Sequence, residues 1–391
     1  MNFKGYERAD GSVGIRNKVC IIAVDECCEG IARKIAEISD KTVVLTNWYT
    51  CMLGGNEETF NQMIEVGKNP NVAGVIVIAM GCGSILPEQI AGVIRKTGKP
   101  AETMTCQEEK GTKKTIEKGR KMVEEMERMI EKLQPREFPV SRLIVGVKCG
   151  GSDTSSGIAS NPAVGNAVDK LVDLQAICIG GELFELQGCD EELSKRAVSP
   201  SVMKKIEELI DNERKRWSVE GTDIETMSIG NSVGGLTTIE EKSLGALHKT
   251  GSRPIQGILQ INKDWIDKPE QPGFYLSEAT MLCGGAGVNF AALGAHLILW
   301  TSGAAGFNNP IVPVIRVSGN AELINEDIDV DVSGIMENRL SMDEAGNLIL
   351  DKVIKTASGE KTAIEDWGEA TMTLYQKDQR VEKLLNITCS K

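Results

Sequence analysis

Residues 142–162 read RLIVGVKCGGSDTSSGIASNP, and the change of character inside them decides the fold. RLIVGV is a near-continuous apolar run, the pattern of a strand covered on both faces. It passes directly into a polar turn holding Cys149, two glycines, a series of hydroxyls, Asp153 and Asn161, after which Pro162 opens a helix. A strand, a turn and a helix in that order make a βα unit. Backbone N–H groups at such a turn can hold carboxylate or sulfonate oxygens. An ordinary βα turn capped by Ser160 or Asn161, with Pro162 in the first helical turn, accounts for those last residues. The length and polarity of the turn go beyond it and favour a functional loop.

The same alternation extends to both sides. VCIIAV (19–24), TVVLT (42–46), VAGVIVIAM (72–80) and AETMTC (101–106) read as strands, and GIARKIAEI, EETFNQMIEV and LPEQIAGVIRKTG between them carry helical spacing. A long charged helix over 112–133 follows, and then PREFPVS, which has two prolines and no periodicity and reads as a linker. After the opening stretch come NAVDKLVDL, AICIGG and a charged helix over 190–217. Beyond it the pattern weakens into glycine-rich turns, SVGG, LCGGAG and TSGAAG, between short apolar pieces such as HLILW and IVPVIRV. The fold expected is two open, mostly parallel α/β domains, 1–137 and 138–391, with glycine-rich loops at the strand carboxyl ends, where such sheets build their sites.

The 391 residues carry a formal charge of -12, with 41 glycines, 11 cysteines and two histidines. That balance provides no broad basic field, so neither nucleic acid nor an anionic membrane is an expected partner, and any anion must be held locally. The first residues show no signal peptide and no run reaches the ~18 apolar residues of a membrane span, so a cytoplasmic protein with reduced thiols is expected. Cys20, Cys106 and Cys178 lie in or beside apolar runs and read as small buried hydrophobes; Cys51, Cys82, Cys149 and Cys283 sit beside glycines in turns. Two histidines exclude a three-histidine zinc site, and no H-E-x-x-H occurs. His296, within AHLILW, reads as structural, and His248 as a helix cap. There is no Walker A sequence, no G-x-S-x-G and no complete dinucleotide fingerprint.

Cys51, Cys82 and Cys149 each follow a different strand, and their thiolates would suit iron, zinc or an iron–sulfur cluster if the loops converge. Unrelated turn cysteines explain them equally well, because none has C-x-x-C spacing. Ser152, Asp153 and Asn161 are candidates for orienting substrate oxygens, and Arg16 and Lys242 for contacting an anion. Glu182 in GELFELQG, Glu240 and Lys242 compete as the general base. Glu240 and Glu241 also fit the ordinary role of acids in the first turn of a helix capped by Thr237 or Thr238.

GYERADGSVGIRN, MGCGSILPEQI, KCGGSDTSSGIASNPAVGNAVDKLV, GELFE, GNSVGGLTTIEEKSLGALHKTG and TSGAAGFNNPIVPVIRV, taken in order, resemble the altronate and galactarate dehydratase family. The resemblance covers nearly the whole chain. It implies a lyase dependent on a divalent metal, usually iron (Fe2+) or else an iron–sulfur cluster, acting on a small anionic 2-hydroxy acid. It also implies that the chain starts at the family's second domain, as the large subunit of a two-chain member would. The expected partners are then a separate small subunit and further copies of the large one. Two departures stand out. Where the sugar-acid dehydratases carry a histidine before a glycine-flanked cysteine, this chain has Asn47-Trp48-Tyr49-Thr50-Cys51, and a family His-Pro-Asn is here Asn69-Pro70-Asn71. Hydroxide is a poor leaving group that wants an acid, whereas sulfite is a stable anion. The expected reaction is therefore elimination of sulfite from (2R)-3-sulfolactate to give pyruvate, with dehydration of a sugar acid as the alternative. A metabolite-binding subunit without catalysis is a third reading.

Overall fold

The computed structural model describes residues 1–48, 57–217, 227–262, 264–301, 307–366 and 372–376. The chain opens with two short antiparallel strands, β1 (Asn2–Glu7) and β2 (Val13–Gly14). The first parallel sheet then follows: β3 (Lys18–Ala23), β4 (Thr42–Thr46), β5 (Val72–Ala79) and β6 (Ala101–Thr105), in the order β4-β3-β5-β6. All eight residues of β5 are buried, as its unbroken Val/Ile run requires. The helix Thr112–Ile130 lays Thr115, Gly119, Val123, Met126 and Ile130 against this sheet, a three- and four-residue spacing that puts one stripe inward and leaves its charges in water.

The stretch expected as a linker is instead a strand, β7 (Arg136–Pro139), paired antiparallel with β1 from Asn2↔Pro139 to Gly5↔Arg136. None of its residues is buried, so no hydrophobic alternation marks it, and its partner is the remote amino terminus. Phe3, Val13 and Ile15 from that terminus pack into the core of the second sheet.

The second sheet has seven parallel strands: β8 (Ile144–Cys149), β9 (Ile177–Gly180), β10 (Ile255–Leu259), β11 (Gly273–Ser277), β12 (Leu297–Thr301), β13 (Val314–Ser318) and β14 (Val330–Asp331). Their order is β10-β11-β9-β8-β12-β13-β14. The mixed α/β architecture with two parallel sheets is the one expected. The helix expected over 190–217 is broken into Asp190–Lys195 and Pro200–Trp217. Proline is disfavoured inside a helix but tolerated at its start, and Ala197 between the two pieces bridges to Ile255.

The helix Asn161–Asp173, between β8 and β9, covers one face of the second sheet; the helix Cys283–Ala292, between β11 and β12, covers the other. The latter is apolar nearly all round and lies in a core shared by both sheets, from Val75 and Val77 to Phe290 and Trp300. Loops after β8 therefore leave towards one face while β12 is reached from the other. That reversal is the switch point where open parallel sheets bind ligands.

Asn69 and Asn71 lock the two sheets together. Asn69 Nδ2 donates to the carbonyls of Ala291 and Ala295 (2.8 and 2.9 Å), and Asn71 Nδ2 donates to those of His296 and Ile311 (2.8 Å each). His296 instead joins the second sheet to the amino-terminal strand β2: Nδ1 accepts from the Ile144 amide at 2.8 Å and Nε2 donates to the Val13 carbonyl at 2.7 Å. Burial depresses its pKa to about 4, so the ring is neutral at pH 7. The structural reading of His296 holds, and His248 is the C-cap of the helix Ile239–Leu247. No helix among the described residues is long and apolar enough to cross a membrane.

Candidate functional site

Strand β8 delivers Lys148 and Cys149 to the carboxyl end of the sheet, where Gly150 N donates to the Thr301 carbonyl at the end of β12 (2.6 Å). The neighbouring strand β9 ends at Gly180, and two residues later Glu182 takes the left-handed conformation (φ 63, ψ 50) and turns its carboxylate back towards β8. A non-glycine residue there costs roughly 1–3 kcal/mol and persists only where the surroundings enforce it. The surroundings here are ionic. Glu182 Oε1 meets Lys148 Nζ at 2.5 Å, while Oε2 accepts from Cys149 N at 2.7 Å and from Lys249 Nζ at 3.1 Å.

The chain of charges continues outward. Lys249 Nζ lies 3.4 Å from Glu185 Oε2, and Lys242 Nζ lies 3.1 Å from Glu185 Oε1. Lys148, Lys249 and Glu182 are at most 2% exposed, whereas the Lys242 side chain keeps 15%. Burying a charge costs several kcal/mol, so this cluster stands only because each group is paired. Burial opposes the carboxylate of Glu185, but Lys249, Lys242 and Lys148 outweigh it and hold its pKa down to about 2. Burial likewise disfavours the ammonium groups of Lys249 and Lys148, and Glu182 leads the opposing charges that leave both pKa values raised. Three lysines against two glutamates leave one positive charge in excess, at the end of the sheet where an anion would arrive.

Cys149 is buried beside this cluster, with Sγ 3.1 Å from Ser152 Oγ. Burial first, then Glu185 and Glu182, push its thiol pKa up against the pull of Lys249. The rest of the loop is self-supporting. Asp153 Oδ1 accepts from Ser155 Oγ (2.6 Å) and Ser156 N (2.9 Å), and Oδ2 accepts from Asn320 Nδ2 (2.9 Å). Asn231 Nδ2 closes on the Ser152 carbonyl at 3.0 Å. Residues Ser156–Ser160 form a single π-helical turn, a distortion frequent at functional sites. Asn161 Nδ2 donates to the Gly245 carbonyl at 3.0 Å, while Asn161 Oδ1, Ser160 Oγ and Ser243 Oγ are buried without a hydrogen-bond partner.

The structure therefore brings Glu182, Lys242, Ser152 and Cys149 into one neighbourhood, with Asp153 bracing the Cys149 loop. It separates others. Arg16 uses its guanidinium on Glu365 (2.6 and 2.7 Å) and on the carbonyls of Ile15, Thr356 and Glu360, fastening the segment after the last helix to the first sheet. Glu240 is exposed in the first turn of Ile239–Leu247, whose cap is Thr238, accepting from Glu241 N at 3.2 Å. Cys82 is exposed in the loop after β5, on the other sheet, and Cys51 lies outside the described residues. Cys106, expected as an inert hydrophobe, is buried with Sγ 3.7 Å from that of Cys28.

Lys148 and Lys249 were not legible as site residues. Lys148 had one signal, a lone charge at the end of an apolar strand; Lys249 had none. As for a metal, no group of three or more His, Cys, Asp or Glu side chains among the described residues is placed to hold one. The two carboxylates near Cys149 already accept from ammonium groups. The described residues alone thus do not fit a metal centre.

Two sequence comparisons bear on this arrangement. Residues 5–131 match the model described as "D-galactarate dehydratase/Altronate hydrolase, second domain", and residues 140–380 match "D-galactarate/Altronate dehydratase, C-terminal". Among curated proteins, the chain is 33% identical over 382 residues to the (2R)-sulfolactate sulfo-lyase subunit beta of Chromohalobacter salexigens, covering 95% of this chain and 96% of that one. It is 29% identical to altronate dehydratase of Bacillus subtilis, covering 92% of this chain and 74% of the relative. It is also 29% identical to galactarate dehydratase (L-threo-forming) of Escherichia coli, covering 94% and 75%. Matched by these models along both its parts, and by a 33%-identical relative over nearly its whole length, this protein belongs to the D-galactarate/altronate dehydratase family of lyases.

Proposed function

We propose that this chain is the catalytic large subunit of a lyase that eliminates sulfite from (2R)-3-sulfolactate, leaving pyruvate. The observation that carries the reading is the lysine-rich cluster at the ends of β8 and β9, cationic by one charge and reached at Lys242. Its fit is to a small substrate bearing a carboxylate and a sulfonate. The Chromohalobacter salexigens relative, 33% identical, is named as a subunit of such an enzyme, with 95% of this chain and 96% of that one aligned. A separate small subunit, assembly of several large subunits and a cytoplasmic setting belong to the same proposal.

The chemistry balances simply. A base takes the proton from the carbon bearing the 2-hydroxyl, the C–S bond to the next carbon breaks, sulfite leaves with the bonding pair, and the resulting enol becomes the 2-oxo acid. Negative charge grows beside the carboxylate, where fixed ammonium groups stabilise it most. Glu182, whose oxygens accept from two lysines and an amide, is suited to holding the loop; Lys242, at the rim, is the group with access.

The two lost histidines have different weight. Asn69-Pro70-Asn71 lies in the bolts between the sheets, so that substitution says nothing about the leaving group. The stretch Asn47-Trp48-Tyr49-Thr50-Cys51 remains the relevant difference; of it, Asn47 is buried with Nδ2 donating to the Val24 carbonyl at 3.3 Å. A divalent metal, iron or an iron–sulfur cluster, stays in the proposal only with ligands beyond the described residues, because Cys82 stands on the other sheet from buried Cys149.

The test is anaerobic expression with the small subunit, metal analysis, and an assay for sulfite and pyruvate from sulfolactate. Formation of a 2-keto-3-deoxy acid from altronate or galactarate, without sulfite release, would replace the reading with dehydration. Binding of hydroxy acids without turnover of either class would leave a silent subunit. Unchanged metal content in both Cys82→Ser and Cys149→Ser would remove the thiolate ligands.

A further inference from the structure

Buried ion pairs need only one partner for each charge, and the cluster around Cys149 exceeds that. Glu182 is gripped by two lysines, and each lysine grips something else. Lys148 Nζ donates to the Cys149 carbonyl at 3.0 Å and to the Met281 carbonyl at 3.1 Å, besides its 2.5 Å contact with Glu182. Lys249 joins Glu182 to Glu185 (3.1 and 3.4 Å). Through Glu182 Oε2 at 2.7 Å, the same cluster holds the Cys149 amide. Both backbone polar groups of Cys149 therefore end on this network, and four segments distant in sequence meet there: the loops after β8, β9 and β11, and the turn His248–Thr250. Lys148 and Lys249 are 1% and 0% exposed, so neither is a group that substrate touches as the chain stands.

We infer that Lys249 and Lys148 are positioning residues: together they fix Glu182 across the ends of β8 and β9 and so set the Cys149 loop for the reaction. Only the kinetic arm of this inference rests on the sulfo-lyase reading. The alternative is that the cluster merely stabilises the fold. Buried charges often do no more than that, and apolar replacements of a whole pair can be neutral. A positioning role differs in that misplacement of a loop by about 1 Å costs on the order of 10²-fold in turnover even when the protein stays folded.

The test uses the enzyme with its small subunit and three variants, Lys249→Met, Lys249→Arg and Lys148→Met. Two readouts are taken per folded molecule: the kcat and KM for sulfite release, and the alkylation rate of Cys149 mapped by peptide mass, with exposed Cys27 and Cys82, both on the first sheet, as internal standards. Lys249→Met is expected to lower kcat by about 10²-fold with KM changed little, since the groups that meet substrate remain. It should raise Cys149 alkylation about tenfold with the standards unmoved, as local opening exposes a protected thiol. Lys249→Arg should recover part of both. Unchanged Cys149 protection in folded Lys249→Met and Lys148→Met overturns the inference, as does a loss of activity that merely follows the unfolded fraction. If the wild type releases no sulfite, the sulfo-lyase reading fails, and the alkylation arm still decides the positioning role. Should neither Met variant fold, Glu182→Gln, nearly the same shape, goes through the same measurement, and unaltered Cys149 protection there counts against the inference.

Discussion

Acidification should weaken the seam between the second sheet and the amino-terminal strand β2, and His296 allows the effect to be calculated. The ring is buried, accepts from the Ile144 amide and donates to the Val13 carbonyl; its pKa falls from 6.5 to about 4 because burial disfavours the imidazolium. In the unfolded chain the residue titrates near its ordinary value. Between the two values the unfolded state binds a proton that the native state refuses, so stability drops as pH falls through that window. For this pair of pKa values the loss is negligible at pH 7.5, about 2 kcal/mol at pH 5 and about 3 kcal/mol at pH 4. Urea unfolding at pH 7.5 and 5.0 measures it, with His296→Gln as control for carboxylates that titrate nearby. Gln cannot charge; it should start less stable at pH 7.5, by about 1–3 kcal/mol for an imperfectly replaced buried pair of hydrogen bonds, and then lose about 2 kcal/mol less on acidification. Equal losses in the two proteins would refute the argument.

Three further outcomes follow from the packing. Gly165→Ala places a Cβ 2.0 Å from the His248 carbonyl oxygen, so the turn bearing Lys249 must back away; a loss of about 1–3 kcal/mol in denaturant melts together with reduced turnover is expected, and wild-type values in both would contradict it. Arg16→Met leaves the buried Glu365 carboxylate without its guanidinium and should cost about 3–5 kcal/mol by urea melts, while turnover per folded molecule changes little. Glu240→Gln alters an exposed residue and should keep turnover within about threefold, whereas Glu182→Gln should lose about 10²-fold in the same steady-state assay; comparable losses would show that burial does not rank these two acids.

Most of the first sheet was legible because each of its strands is a compact apolar run, and β3 to β6 fall within a residue or two of those runs. The strand β7 was not, since none of its residues is buried and its pairing partners are 131 to 137 positions away, at the amino terminus. The break at Ala197–Pro200 could have been read from Pro200 alone. Within the site, the loop after β8 declared itself by its density of polar residues. Glu182 and Glu240 both read as candidate bases, and burial separates them.

What the sequence by itself determined is local and cumulative: parallel α/β architecture from runs and helical spacing, a long polar loop at 148–162 after a strand, and, through motifs in their order, the family. The tertiary structure alone decided which charges meet. Lys148 and Glu182 are 34 positions apart and Glu182 and Lys249 are 67 apart, and they touch because β9 lies beside β8 and the turn His248–Thr250 packs on the helix between those strands. Periodicity reports the face on which a side chain sits. Strand order sets its neighbours, and in a low-dielectric interior those neighbours determine whether a lysine is a surface charge or the fixed counter-ion of a buried carboxylate.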